Sequence, residues 1–151
     1  MKFSAFIISI SLFVACIQTS FAQSPIQIQG YNHVGLYVKN LQESAKFYRE
    51  IIGLKPVDVP DNLVAIRRWF QIGDHEQLHL LLGRKEPVSN NDKNGGHFSL
   101  TIPKGSADAI EQFLLEKNLP YTRQKRFDGA FQIYVTDPDG YVIELNEPKI
   151  D

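Results

Sequence analysis

"GGHFSLTIP", Gly95 to Pro103, sets a histidine at the head of an alternating apolar run, and "YNHVGLYV", Tyr31 to Val38, does the same earlier in the chain. With His97 laid on His33, Leu36 meets Leu100, Val38 meets Ile102, Ala45 meets Ala109 and Ile51 meets Leu115. In each copy a period-two run ("HVGLYV", "HFSLTI") gives way to a segment of helical spacing, "LQESAKFYREII" and "SADAIEQFLLEK". Asn40 suits the N-cap of the first helix, with Glu43 completing a capping-box pattern, and Gly53 lies where a left-handed C-terminal residue is wanted. Ser106 and Asn118 are the weaker equivalents in the second copy.

Three strand-like stretches follow each helix. The first copy offers Lys55–Val59, Leu63–Ile72 and Gln77–Gly83; the second offers Tyr121–Arg126, Phe131–Thr136 and Tyr141–Asn146. Thr136 to Gly140, "TDPDG", reads as the hairpin turn joining the last two, because Pro138 fixes φ and Gly140 is free to take a positive one. The unit is βαβββ, twice. Module one spans residues 29–85, the polar and glycine-rich "EPVSNNDKNGG" (86–96) has the composition of a linker, and module two spans 97–147.

The far ends of the modules test the repeat. His79 stands in the last strand of module one ("QLHLLL") and Glu144 in the last strand of module two ("YVIEL"); the separations are 46 (33 to 79) and 47 (97 to 144). One inserted residue between helix and next strand, where Leu119 answers Leu54, absorbs the difference. Alternation sends His33, His79, His97 and Glu144 to the face opposite Val34, Leu36, Leu78, Leu80, Phe98, Leu100, Ile143 and Leu145. The apolar face covers the helices. First and last strands lying side by side in two modules that curl around a shared hollow would bring the four polar side chains together. Three imidazoles and a carboxylate in such a hollow suit one divalent transition metal, and Zn, Ni, Co, Mn and Fe(II) all accept them. For a single histidine the bland alternative is a hydrogen-bonded structural residue, but three of only four histidines fall on repeat-equivalent strand positions. His75, in the "GDHEQ" turn, reads as solvated.

Parity also defines a pocket wall. In "VAIRRWFQI", Val64, Ile66, Phe70 and Ile72 share one face, broken by Arg68, so Arg67, Trp69 and Gln71 take the other; in "FQIYVT" the polar face carries Gln132, Tyr134 and Thr136. Arg67 beside Trp69 can grip an anionic or aromatic substrate, the alternative being a solvated edge and a partly buried core aromatic. Tyr37, Gln77 and Tyr134 are further substrate-binding candidates.

Composition agrees with one domain. The chain has 151 residues, 43% of them hydrophobic and 11% aromatic, enough for a packed core. Residues 1–22 read as a secretory signal peptide: Lys2 gives a positive start, Phe6 to Ile17 an apolar core, and Ser20-Phe21-Ala22 a small-x-small cleavage site. An uncut anchor is the alternative, although the apolar run falls short of the roughly 20 residues a spanning helix needs. Lipid attachment at Cys16 is a third reading, poorly served by Phe13. Cleavage leaves residues 23–151 as a single exported domain, periplasmic or secreted and off the membrane. Lys2 and Cys16 go with the peptide, leaving 15 basic against 17 acidic side chains and no thiol. So even a balance excludes a nucleic-acid partner, and no disulfide or thiolate nucleophile is available.

The stretches "NHVGLYVKNLQESAKFYREIIGL", "GGHFSLTI" and "DPDGYVIEL" resemble the vicinal oxygen chelate superfamily, which holds glyoxalase I, extradiol dioxygenases, fosfomycin-resistance thiol transferases, methylmalonyl-CoA epimerases and metal-free bleomycin-binding proteins. The resemblance implies an α+β fold in which two tandem βαβββ modules form a cupped, incompletely closed eight-stranded mixed barrel with the helices outside. It also implies a homodimer, with one metal ligand from each first and last strand. His33, His97 and Glu144 match ligand positions of several metal-dependent branches, while His79 falls where glyoxalase I carries a glutamate. Glyoxalase chemistry abstracts a proton next to a carbonyl with a ligating glutamate as base, so Glu144 alone would serve as the catalytic residue. The implied activity is a metal-dependent, glyoxalase-like lyase or isomerase acting on a small substrate with vicinal oxygens. An extradiol-type ring-cleaving dioxygenase and a non-catalytic drug- or metabolite-binding protein are the alternatives.

Overall fold

The computed structural model describes residues 26–89 and 92–149. The signal-peptide reading of residues 1–22, Cys16 included, lies outside the described residues. Among those described, no helix is long and apolar enough to cross a membrane. The chain divides into two units, Met1–Gly30 and Tyr31–Asp151, and every regular element lies in the second. Residues 26–30 are exposed and carry no regular element.

Module one runs β1 (His33–Val38), α1 (Leu41–Glu50), β2 (Lys55–Val57), β3 (Arg67–Ile72) and β4 (Glu76–Leu82). Module two runs β5 (His97–Thr101), α2 (Ala107–Glu116), β6 (Tyr121–Lys125), β7 (Phe131–Thr136) and β8 (Val142–Asn146). Each builds a four-stranded mixed sheet, ordered β1-β4-β3-β2 and β5-β8-β7-β6, and the two sheets do not close into a barrel. The α+β, twice-βαβββ fold is therefore the one the repeat predicts. First and last strands of each module pair in parallel, as a crossover through a helix requires.

The repeat holds at the level of register. Gly35 pairs with His79 as Ser99 pairs with Glu144, and Trp69 pairs with His79 as Tyr134 pairs with Glu144. Strand alternation sorts the faces: Leu36, Val38, Leu78, Leu80, Phe70, Leu100, Ile133, Val135, Ile143 and Leu145 are buried in one core that spans both modules. Each helix lies on its own sheet, α1 on β3 and β4 and α2 on β7. Each polar sheet face therefore looks away from the common core.

Both helices start where carboxamide or carboxylate oxygens meet their free N–H groups. The Asn40 side chain accepts from the Gln42 and Glu43 amides at 3.1 and 3.2 Å. Ser106, the expected cap of α2, makes no capping bond; its hydroxyl donates to the Pro103 carbonyl. Glu147, just beyond β8, does the work instead, accepting from the Gly105, Ala107 and Phe131 amides at 2.8, 3.3 and 3.0 Å. Three backbone donors hold its carboxyl below the usual carboxylate range. Gly53 and Asn118 end the helices with φ of 81° and 53°, as expected.

The "TDPDG" turn joins the modules as well as β7 to β8. Asp139 accepts from the Lys39 amide (2.6 Å) and the buried Ser44 hydroxyl (2.8 Å), while Tyr48 donates to Asp137 at 2.8 Å. Gly140 has φ of 92°, and a Cβ there would press on the Val88 carbonyl oxygen at 3.2 Å. One expectation needs correction. Leu63–Ile66 is not the start of a strand: the Leu63 and Val64 amides donate to the Pro60 carbonyl and the Ile66 amide to that of Leu63, which curls the segment into turns. Val64 and Ile66 are consequently exposed and off the apolar face that Phe70 and Ile72 share.

Candidate metal centre

His97 and Glu144 lie on neighbouring strands of the second sheet, with His97 Nε2 3.0 Å from Glu144 Oε2. Glu144 is 5% exposed although it sits on the polar face, because Tyr134 and Gln132 of the adjacent strand cover it. The Gln132 amide donates to Glu144 Oε1. Gln124 continues the network, donating to Gln132 at 2.9 Å and to the Tyr134 hydroxyl at 3.2 Å, and Lys93 of the linker donates to Gln124 at 3.0 Å. The Tyr134 ring meets His97 edge-on, with centroids 5.9 Å apart. Burial first, and then the Glu144 charge, push the Tyr134 hydroxyl pKa up, so it stays a neutral donor.

The donor set fits a cation. His97 Nδ1 lies 3.0 Å from the Gly95 carbonyl, so both ring nitrogens face acceptors. A neutral imidazole carries one N–H; with that proton on Nδ1, the Nε2 lone pair confronts a carboxylate. A metal ion between them would resolve the conflict, as a proton on Nε2 would, and two ligands at right angles with bonds of about 2.1 Å place their donor atoms about 3 Å apart. The carbonyl on Nδ1 is the kind of outer partner that fixes the ligating tautomer.

The first sheet carries the other two histidines. His33 and His79 stack with centroids 4.3 Å apart and planes 16° apart, and Trp69 stacks on His79 at 4.7 Å and 20°. His33 Nδ1 is 2.6 Å from the Asn32 side-chain oxygen, which leaves its Nε2 free. His79 Nε2 is 2.8 Å from the Gln77 side-chain oxygen. Burial, with His33 beside it, lowers the His79 pKa and keeps the ring neutral.

The four sequence-expected ligands thus come together two by two. Among the described residues, no group of three or more His, Cys, Asp or Glu side chains is placed to hold a metal. Of the expected substrate residues, Tyr134 lies against the second pair, while Trp69 and Gln77 lie against the first. Arg67 follows Trp69's parity and donates to the Ile66 carbonyl at 2.9 Å. Tyr37 lies two residues beyond Gly35 on β1, its hydroxyl packed over Gly83. Lys93 and Gln124 escaped sequence reading. Gln124 could be found by carrying the parity of Gln132 one strand outward, but Lys93 sits in a loop with no period to follow.

The Glyoxalase/Bleomycin resistance protein/Dioxygenase superfamily model matches residues 30–145. The chain belongs to this superfamily. Within it, the chain is 28% identical over 134 residues to glyoxylase I 4 of Arabidopsis thaliana, covering 82% of this chain and 74% of that one. It is 28% identical over 123 residues to the metallothiol transferase FosB of Staphylococcus saprophyticus, covering 79% and 77%. In structure it is similar to a glyoxalase/dioxygenase from Nostoc punctiforme, with a TM-score of 0.70 at 22% identity over 87% of this chain and 98% of that one. A further relative, 33% identical over 66 residues that cover 42% of this chain and 20% of that one, is a manganese-dependent 2,3-dihydroxybiphenyl 1,2-dioxygenase of Geobacillus genomosp. 3.

Proposed function

We propose that this chain is an exported, divalent-metal-dependent lyase or isomerase of glyoxalase-like type, acting on a small substrate that presents two vicinal oxygens. The observation that carries the reading is the pairing of solvent-facing His97 with buried Glu144, 3.0 Å apart, with the imidazole fixed through Gly95 and the carboxylate through Gln132. A bound Zn, Ni, Co, Mn or Fe(II) ion supplies Lewis acidity toward both substrate oxygens. The chain's own groups do the rest. Glu144 is the one carboxylate in the site, so it takes the proton next to the substrate carbonyl. Gln132 holds Oε1 and so leaves Oε2 facing His97, and the neutral Tyr134 hydroxyl donates to substrate oxygen.

The centre is completed by a second copy of the chain. His33 and the His97–Glu144 pair lie on polar faces that each look away from a common core, so His33 of one copy meets His97 and Glu144 of another in a homodimer with two equal sites. Two histidines and one carboxylate also form the triad of ring-cleaving iron oxygenases, which makes a dioxygenase the second reading. Export, read from residues 1–22, argues against glutathione or coenzyme A as co-substrate.

Native mass spectrometry of the purified chain tests the proposal. About one transition metal per chain is expected, lost in His33→Ala, His97→Ala and Glu144→Ala, with iron pointing to the oxygenase and nickel, cobalt or zinc to the lyase. No metal under any divalent supplement would overturn both and leave a binding protein.

A further inference from the structure

Three histidines occupy repeat-related strand positions, yet their rings are held in two different ways. His33 and His97 both have Nδ1 engaged by a neighbouring oxygen, Asn32 Oδ1 at 2.6 Å and the Gly95 carbonyl at 3.0 Å, which turns the outer nitrogen, Nε2, toward the polar face. His79 is reversed. Its Nε2 is engaged by Gln77 at 2.8 Å, and its ring lies between Trp69 on one side and His33 on the other. Register explains the sandwich: Trp69 is the direct cross-strand partner of His79, and His33 stands two residues before its parallel partner Gly35.

We infer that His79 stands outside the metal's ligand shell and acts as a positioning residue, the middle ring of a Trp69–His79–His33 stack that orients His33. This rests on the metal reading above and deepens it. The centre then has three protein ligands, His33, His97 and Glu144, and keeps open the positions that a substrate with two vicinal oxygens must fill. Repeat position alone makes His79 the counterpart of Glu144, but its chemistry is that of an aromatic spacer. Stacking needs a flat ring and no nitrogen, so phenylalanine should replace it where alanine cannot.

Binding of Co2+ and its visible absorption, whose bands follow ligand number and type, separate a spacer from a ligand without reference to turnover. His79→Phe should bind Co2+ within about twofold of the parent chain, and His79→Ala about 10-fold more weakly, the size expected of an outer partner. At saturation all three should display the same bands. Loss of Co2+ from His79→Phe to the extent seen in His33→Ala would overturn the assignment, as would altered bands in saturated His79→Ala. Failure of the parent chain itself to bind Co2+ would overturn the metal reading, and this assignment with it.

Discussion

Glu147 shows how far one side chain reaches in this fold. Its carboxylate closes the N-terminus of α2 and the start of β7 through three backbone amides, the part that Ser106 was expected to play for the helix. Because its folded pKa lies below the ordinary 4.5, the stability it gives is present at neutral pH and is lost as pH falls below about 4.5. Glu147→Gln should cost about 1 kcal/mol at pH 7. Thermal unfolding from pH 7 to pH 3 should find parent and variant converging in acid; parallel curves would contradict this role. Gln132 offers a second test. Replacing it by Leu frees a buried oxygen of Glu144 and should weaken metal binding by about 10- to 100-fold, read by chelator competition.

At the scale of elements, the "TDPDG" turn is both hairpin and inter-module clasp. Tyr48 and Asp137 are buried, and burial first and the nearby acids next push the tyrosine pKa well up, so Tyr48 remains the donor. Tyr48→Phe strips one donor from a buried carboxylate and should destabilise the chain by about 1–3 kcal/mol in denaturant titration. Gly140→Ala should cost a similar amount, about 1–3 kcal/mol, from the left-handed backbone and the Val88 carbonyl together. The elements themselves were largely legible. Period-two runs, two helical segments and the matched spacing of His33 to His79 and His97 to Glu144 define the modules, and the observed register follows the same correspondence. Leu63–Ile66 misled because an apolar "LVAI" has strand composition, while the carbonyl of Pro60 just before it captures the amides a strand would need. Glu147 was invisible as a cap because it lies 40 residues from the helix it closes.

For the whole molecule, sequence parity places ligands on a face but cannot say which face of which module it meets. The apolar faces and the two helices share one core, and the polar faces turn away from it, one carrying His33, the other His97 and Glu144. In the proposed homodimer, each half-site would be completed by the other copy. The centre would then depend on association, and metal content should fall on dilution below the dimer dissociation constant. Mixing His33→Ala with His97→Ala is the most direct test. Neither variant alone should hold metal. After unfolding and refolding together, half of the dimers pair one variant with the other, and each such pair regains one intact site from His33 of one chain and His97 and Glu144 of the other. The account predicts that the mixture recovers about one quarter of the parent metal content by random pairing of two halves. No recovery in a mixture shown to contain mixed dimers would place every ligand within one chain and contradict the shared centre.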